Sequence, residues 1–202
     1  MVFSCLRIAP AAADSYEDLL AAIKLNDIPA AEALFAKGMD VNTTDSGANT
    51  LLMLAIQNDS ADMVELLLRR KAQVDARNQY GETALMMAAA KGDLELARPL
   101  IDHGAKVNLT GWNPLIYAAW RGQSEMVKYL LDKGADIDAV SPNGVSALMM
   151  AVRGEHADTV KLLLWEVANP NIKSDSGATA MTWALKAGNT EIVNLLKQAG
   201  AK

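Results

Sequence analysis

Cysteine is all but missing from this chain. Cys5 is the only one, so no disulfide framework and no thiolate metal cluster can be assembled. Histidine is nearly as scarce: His103 and His156 are the whole supply, and their spacing matches no metal site. No glycine-rich phosphate loop occurs, because the glycines recur at a fixed long period as turns and helix stops. No apolar run is long enough to cross a bilayer as a helix. Cationic excess is absent too. The 19 Lys and Arg against 24 Asp and Glu leave a formal net charge of −5, which argues against a nucleic-acid binder with a broad basic face. Without a thiol nucleophile or a base placed beside one, the chain is not expected to be an enzyme, and no cofactor or metal is expected.

What the chain has is a repeat. Residues 78–108, NQYGETALMMAAAKGDLELARPLIDHGAKVN, hold a glycine turn, a threonine-started apolar helix, a second helix opened by Asp93 and a stop at Gly104. The same grammar is anchored at Ala22, Ala55, Ala88, Ala118, Ala151 and Ala184, in steps of 33 except for one step of 30. Sixteen residues after each alanine lies the stop: Gly38, Lys71, Gly104, Gly134, Val167 and Gly200. Lys71 and Val167 are the exceptions to glycine. A left-handed residue there costs about 1 kcal/mol for lysine, and a β-branched side chain tolerates positive φ poorly.

Residues 1–13 belong to no unit. They are apolar and end in Ala11-Ala12-Ala13, an A-x-A pattern of the kind that precedes signal cleavage, although Arg7 interrupts the run and a basic start is missing. Directly afterwards Ser15 and Asp18 form an S-x-x-D helix start. The expected organisation is therefore a tail or signal-peptide remnant over 1–13 and one repeat domain over 14–202. Periplasmic or secreted location follows from that reading, with a cytoplasmic protein as the alternative. Within unit three, Pro99 falls inside the second helix, where a kink or a late start is expected. The next turn, VNLTGWNPL, is three residues shorter than its counterparts.

The motifs GETALMMAAAKGD, NPLIYAAWRGQSEMVKYLLDKGADID, NGVSALMMAVRGEHADTVKLLL and GATAMTWALKAGNTEIVNLL resemble the ankyrin repeat family, whose period of about 33 residues holds a turn and two helices. The resemblance covers residues 14–202. It implies an all-α solenoid of six repeats, a superhelix with short β-hairpin-like turns, sharing one continuous core. The family writes T-P-L-H where this chain has Thr83-Ala84-Leu85-Met86 and its equivalents. The histidine is missing from every unit and methionine fills the slot three times, so packing of a soft side chain replaces the polar bond. The A-L-M-M-A wording and the clipped turn are similar to exported ankyrin proteins of Gram-negative bacteria.

That resemblance implies a concave face built from the turns and the ends of the first helices, used to bind another protein. Those ends carry Lys24, Gln57 and Asn58, Lys91, Trp120 and Arg121, Arg153, and Lys186, so five of six units contribute a cation. The turn tips add Tyr80, Glu82, Trp112, Asn143 and Asp175. Tyr80, Lys91, Trp112, Trp120, Arg121 and Arg153 are the expected partner-binding residues, since aromatic and arginine side chains anchor interfaces most often. The partner expected is a protein with an acidic surface, bound by a monomer. A dedicated inhibitor or protector of a periplasmic enzyme is the alternative use of the same groove. Against both stands the plain reading that a cation at a helix C-terminus merely complements the dipole. In that reading Trp112 covers the core at the shortened turn, and Tyr117 and Trp183 are core residues.

Overall fold

The computed structural model describes residues 10–202, with side chains from Ser15 onward. Cys5 and Arg7 lie outside the described residues. The chain forms six helical hairpins in succession: α1 (Pro10–Lys24) with α2 (Ile28–Ala36), α3 (Leu51–Gln57) with α4 (Ala61–Arg69), and α5 (Ala84–Lys91) with α6 (Leu94–Asp102). Then come α7 (Pro114–Trp120) with α8 (Ser124–Asp132), α9 (Ala147–Arg153) with α10 (Ala157–Trp165), and α11 (Ala180–Ala187) with α12 (Thr190–Gln198). These twelve helices stack into an all-helical solenoid. Among the described residues the only β pairing is two isolated bridges, Thr44 with Thr50 and Val140 with Ser146.

From the second unit onward each first helix starts where its cap residue directs. Thr50, Thr83, Asn113, Ser146 and Thr179 accept a hydrogen bond from the backbone N–H three residues on, which satisfies one of the otherwise unpaired donors of the first turn. In the slot where the family keeps histidine, the Met86 sulfur accepts from the Thr83 N–H at 3.4 Å, and the Thr182 hydroxyl accepts from the Thr179 N–H at 2.8 Å. Met53, Met86 and Met149 are all buried, so the methionines also pack the core. The second helices begin at Asp93 and Asn189 with side-chain caps. Ser60 instead donates its hydroxyl to the Asn58 carbonyl.

All six stop positions are left-handed. Gly38, Gly104, Gly134 and Gly200 take φ of 93°, 91°, 85° and 79°, and Lys71 and Val167 adopt 65° and 66° without a glycine's freedom. Val167 is the costlier site, at roughly 1–2 kcal/mol of steric strain. Pro99 is carried inside α6, which begins at Leu94 with Asp93 as its cap rather than starting late. The Pro99 carbonyl accepts from both the His103 N–H and its ring Nδ1.

The first helices pack directly on one another through alanines: Ala88, Ala89, Ala118 and Ala119 are wholly buried, and α5 and α7 make the tightest pair in the array. Across the same joint the second helices α6 and α8 touch least of any consecutive outer pair. At the shortened turn the first helices thus pack most closely while the second helices stand apart. Outside, the joint is spanned by the Arg98 guanidinium, 4.9 Å above the Tyr129 ring. The helix begins at Pro10, ahead of the expected start near Tyr16.

Candidate functional site

The first helices approach each other through buried alanines, and long side chains stand at their last turns. Lys24 ends α1, Gln57 ends α3, Lys91 ends α5, Trp120 ends α7, Arg153 ends α9, and Lys186 lies in the last turn of α11. The structure thus places these residues at the ends of successive first helices, and their contacts divide them.

In unit three the cation is engaged within the chain, whereas Lys24 of unit one forms no ion pair among the described residues. The Lys91 ammonium donates to the Asp59 carboxylate and to the Gln57 carbonyl, one unit back. Lys24 lies within electrostatic reach of Asp45. Burial pushes the Asp45 carboxyl up, but hydrogen bonds from the Asn49 side chain and from the Asn49 and Gly47 backbone outweigh it and hold the group below its usual value. The turn tips here are knitted together: Gln79 N–H donates to the Gly47 carbonyl, and the Asn78 amide to Asn49 at 3.0 Å. Tyr80 stands out from this tip, 75% exposed.

At the centre lies an aromatic chain. Trp112 meets Tyr117 edge-on at 5.9 Å between ring centroids, and Tyr117 meets Trp120 the same way at 6.4 Å. Such T-shaped pairs set the positive ring edge against the negative ring face. The Tyr117 hydroxyl donates to Glu82 at 3.1 Å, crossing from unit four to unit three. Burial, then the charge of Glu82 and its hydrogen bond, push the Tyr117 phenol up to about 12. Trp112 is half-buried and packs against the core, covering the joint where the turn is clipped.

In units four to six the cations are free. Arg121 lies 4.7 Å over the Trp120 ring and Arg153 lies 5.8 Å over the Trp183 ring. Among the described residues no carboxylate forms an ion pair with Arg121, Arg153 or Lys186. A guanidinium stacked on an indole keeps its edge donors available for a carboxylate. Arg153, Trp183 and Lys186 line, with Val152 and Ala187, a cavity of about 490 Å³.

The Trp120 end is fixed from behind by His156, whose Nε2 lies 3.0 Å from the Trp120 carbonyl. Its ring is clasped between two glycines: a Cβ on Gly122 would fall 2.6 Å from His156 Cγ, and one on Gly154 2.5 Å from His156 Cδ2. In the sequence His156 stands out only as one of two histidines. Its partner lies 36 residues back, one period plus three, so only the stacking register reveals it. Trp183, expected in the core, is half-buried and packs against it, and it also lines the cavity beside Arg153. Of the expected set, Trp120, Arg121 and Arg153 share the free, aromatic-backed stretch, Trp112 floors the centre, Lys91 is latched inward and Tyr80 stands apart on its tip.

Among the described residues no group of three His, Cys, Asp or Glu side chains is placed to hold a metal ion, and no helix is long and apolar enough to cross a membrane. The scaffold is a stack of repeated helical hairpins, and sequence comparison agrees. The family model for ankyrin repeats (3 copies) matches residues 12–78, 52–141 and 135–202; the chain belongs to the ankyrin repeat family. It is similar to the human ankyrin repeat and KH domain-containing protein 1, at 47% identity over 64 residues, which is 32% of this chain and 2% of that protein. A bacterial relative, the putative ankyrin repeat protein YahD of Escherichia coli K12, is 26% identical over 42% of this chain and 44% of its own length. The chain thus spans well under two thirds of these curated relatives. Among solved structures, an ankyrin repeat domain from Acinetobacter baumannii AYE superposes with a TM-score of 0.79 and 30% identity, over 91% of this chain and 98% of the other. The human ASB11 ankyrin repeat domain does so at 0.81 and 27%, over 91% and 84%.

Proposed function

We propose that this chain is a non-catalytic protein-interaction module that binds a partner protein through its concave face and turn tips, with the acidic surface of that partner seated against Arg121 and Arg153. The observation that carries this reading is the pair of arginines stacked on Trp120 and Trp183 without a carboxylate of their own. On a chain of net charge −5, exposed cations backed by aromatic rings are a local reversal of sign, and complementary charge of that kind sets partner choice and encounter rate. Family membership supports protein binding in general; the acidic partner, the monomeric state and export are this reading's own additions.

The test is capture from extracts of the source organism with residues 14–202 as bait, beside an Arg121→Glu, Arg153→Glu bait. The partner should be held by the first and lost by the second, and should then form a stoichiometric complex when purified. A partner held equally by both baits places the contact elsewhere and refutes the groove. Export is tested separately by fractionating cells and sequencing the N-terminus of the mature protein. A start at Asp14 in the periplasmic fraction supports it, and a start at Met1 in the cytosol overturns it.

A further inference from the structure

Arg153 leaves its own unit. Its guanidinium lies 5.8 Å over the Trp183 ring of unit six, and with Trp183, Lys186, Val152 and Ala187 it lines a cavity of about 490 Å³. Arg121 behaves differently, since it lies over Trp120, the residue just before it. Two cations therefore share one space, and among the described residues neither has a carboxylate partner. Arg153 ends α9 and Lys186 lies in the last turn of α11. Each helix C-terminus carries roughly half a negative charge, so the two ends offset about half of the two full positive charges. Roughly one positive charge is left over, which a single carboxylate neutralises and a doubly charged phosphate exceeds. Beside the cations stand the half-buried Trp183 ring, the buried Val152 and the Ala187 methyl. The anion that fills this cavity must therefore bring an apolar stem.

Resting on the interaction reading above, we propose that this cavity is the anchor point for the partner protein and receives the side chain of one glutamate. Its carboxylate meets the edge of the Arg153 guanidinium, whose parallel N–H groups match the two oxygens. The Lys186 ammonium adds the second positive charge. Stacking on the Trp183 ring holds the guanidinium while leaving its edge donors open. The two methylenes of the glutamate cover the indole and Val152, where aspartate has only one to offer. A filled pocket with a charged and an aromatic wall is the kind of place where interface energy concentrates. Unit three offers no equivalent, because Lys91 at the end of α5 is already held by Asp59.

The test uses the full chain and three short peptides blocked at both ends, which differ only in a central glutamate, glutamine or aspartate between two leucines. Binding is followed at low salt, up to millimolar peptide, by the indole N–H signal of Trp183 in the isotope-labelled chain. The glutamate peptide should move that signal and bind about tenfold more tightly than the glutamine peptide. The aspartate peptide should bind about two- to fourfold more weakly than the glutamate peptide, for want of one methylene. Arg153→Gln should lower affinity about tenfold and Lys186→Gln about threefold, with thermal unfolding unchanged in both. Lys197→Gln, which removes an exposed cation from the last turn of α12, should leave affinity unchanged. Equal affinities for the glutamate and glutamine peptides would overturn the carboxylate, and equal affinities for glutamate and aspartate would overturn the apolar wall. A loss with Lys197→Gln as large as with Lys186→Gln would reduce the effect to general charge attraction and overturn the cavity. A Trp183 signal that no peptide moves would overturn the proposal as a whole. That result would leave the interaction reading standing wherever a captured protein still depends on Arg121 and Arg153, so the two failures are distinct.

Discussion

Lys91 and Arg153 occupy nearly the same place in the repeat, at the end of a first helix on the concave side, yet they do opposite things. The Lys91 ammonium reaches back one unit to Asp59 and the Gln57 carbonyl, so it joins two repeats and presents little charge outward. Arg153 reaches forward over the Trp183 ring of the next unit and meets no carboxylate. The difference lies in what the preceding unit places beneath. Asp59 follows α3 in a left-handed turn, with φ of 54°, and aims a carboxylate up at Lys91. At Trp120 the following turn holds Gly122 and the His156 ring, and offers no anion. A cation in a repeat slot is therefore structural or functional according to its neighbour one period away.

This contrast can be broken most forcefully by charge reversal. Arg121→Glu with Arg153→Glu should cost about 2–5 kcal/mol of affinity for the captured partner and leave thermal stability alone. Lys91→Glu should do the reverse, setting a carboxylate against Asp59 and lowering stability while calorimetry shows unchanged affinity. The next effect sharpens the contrast at its hinge. Gly154 has an ordinary φ, so Gly154→Ala tests space alone: the new methyl meets the His156 ring and the Trp120 carbonyl, and should cost about 1–3 kcal/mol in urea unfolding. His156→Ala in the same chain should relieve much of that clash.

The two stop positions without glycine provide a matched pair across the halves. Val167→Gly should stabilise the protein by about 1 kcal/mol, raising Tm by about 2–4 °C, because Val167 is 82% exposed and loses no packing. Lys71→Gly should gain less, since lysine is not branched at Cβ. A value for Val167→Gly that is unchanged or lower would mean the turn bears no strain.

The smallest effect concerns Tyr117, which joins the halves. Its phenol is pushed up to about 12 from the ordinary phenol value of 10.0, so it holds its proton more firmly folded than unfolded. The stabilisation this gives is fully present below the unfolded value and fades as pH rises from about 10 through about 12. Tyrosinate absorbance should show one phenol titrating late, and Tyr117→Phe should remove that phase.

Much of this was legible in the chain itself. Six units in register, the cap residues Thr50, Asn113 and Ser146, and the left-handed strain at Lys71 and Val167 all follow from local chemistry repeated at a fixed step. The candidate face was legible only as a row of positions. Whether Lys91 is free depends on Asp59, 32 residues away, and whether Trp183 is core depends on how much of α11 the final unit leaves uncovered. Pro99 was expected to kink α6 or delay its start, and the start is not delayed, because Asp93 still caps the first turn. These outcomes are set by the packing of one unit on the next, and periodicity alone carries no information about side-chain reach.

The most direct test of the division is amide chemical-shift mapping of the captured partner protein on the isotope-labelled chain. The account predicts shifts confined to residues 120–123, 152–154 and 183–187, with the indole N–H signals of Trp120 and Trp183 moving and Lys24, Asn58 and Lys91 unmoved. Shifts spread evenly along the six helix ends, or gathered at Lys24 and Lys91, would contradict it.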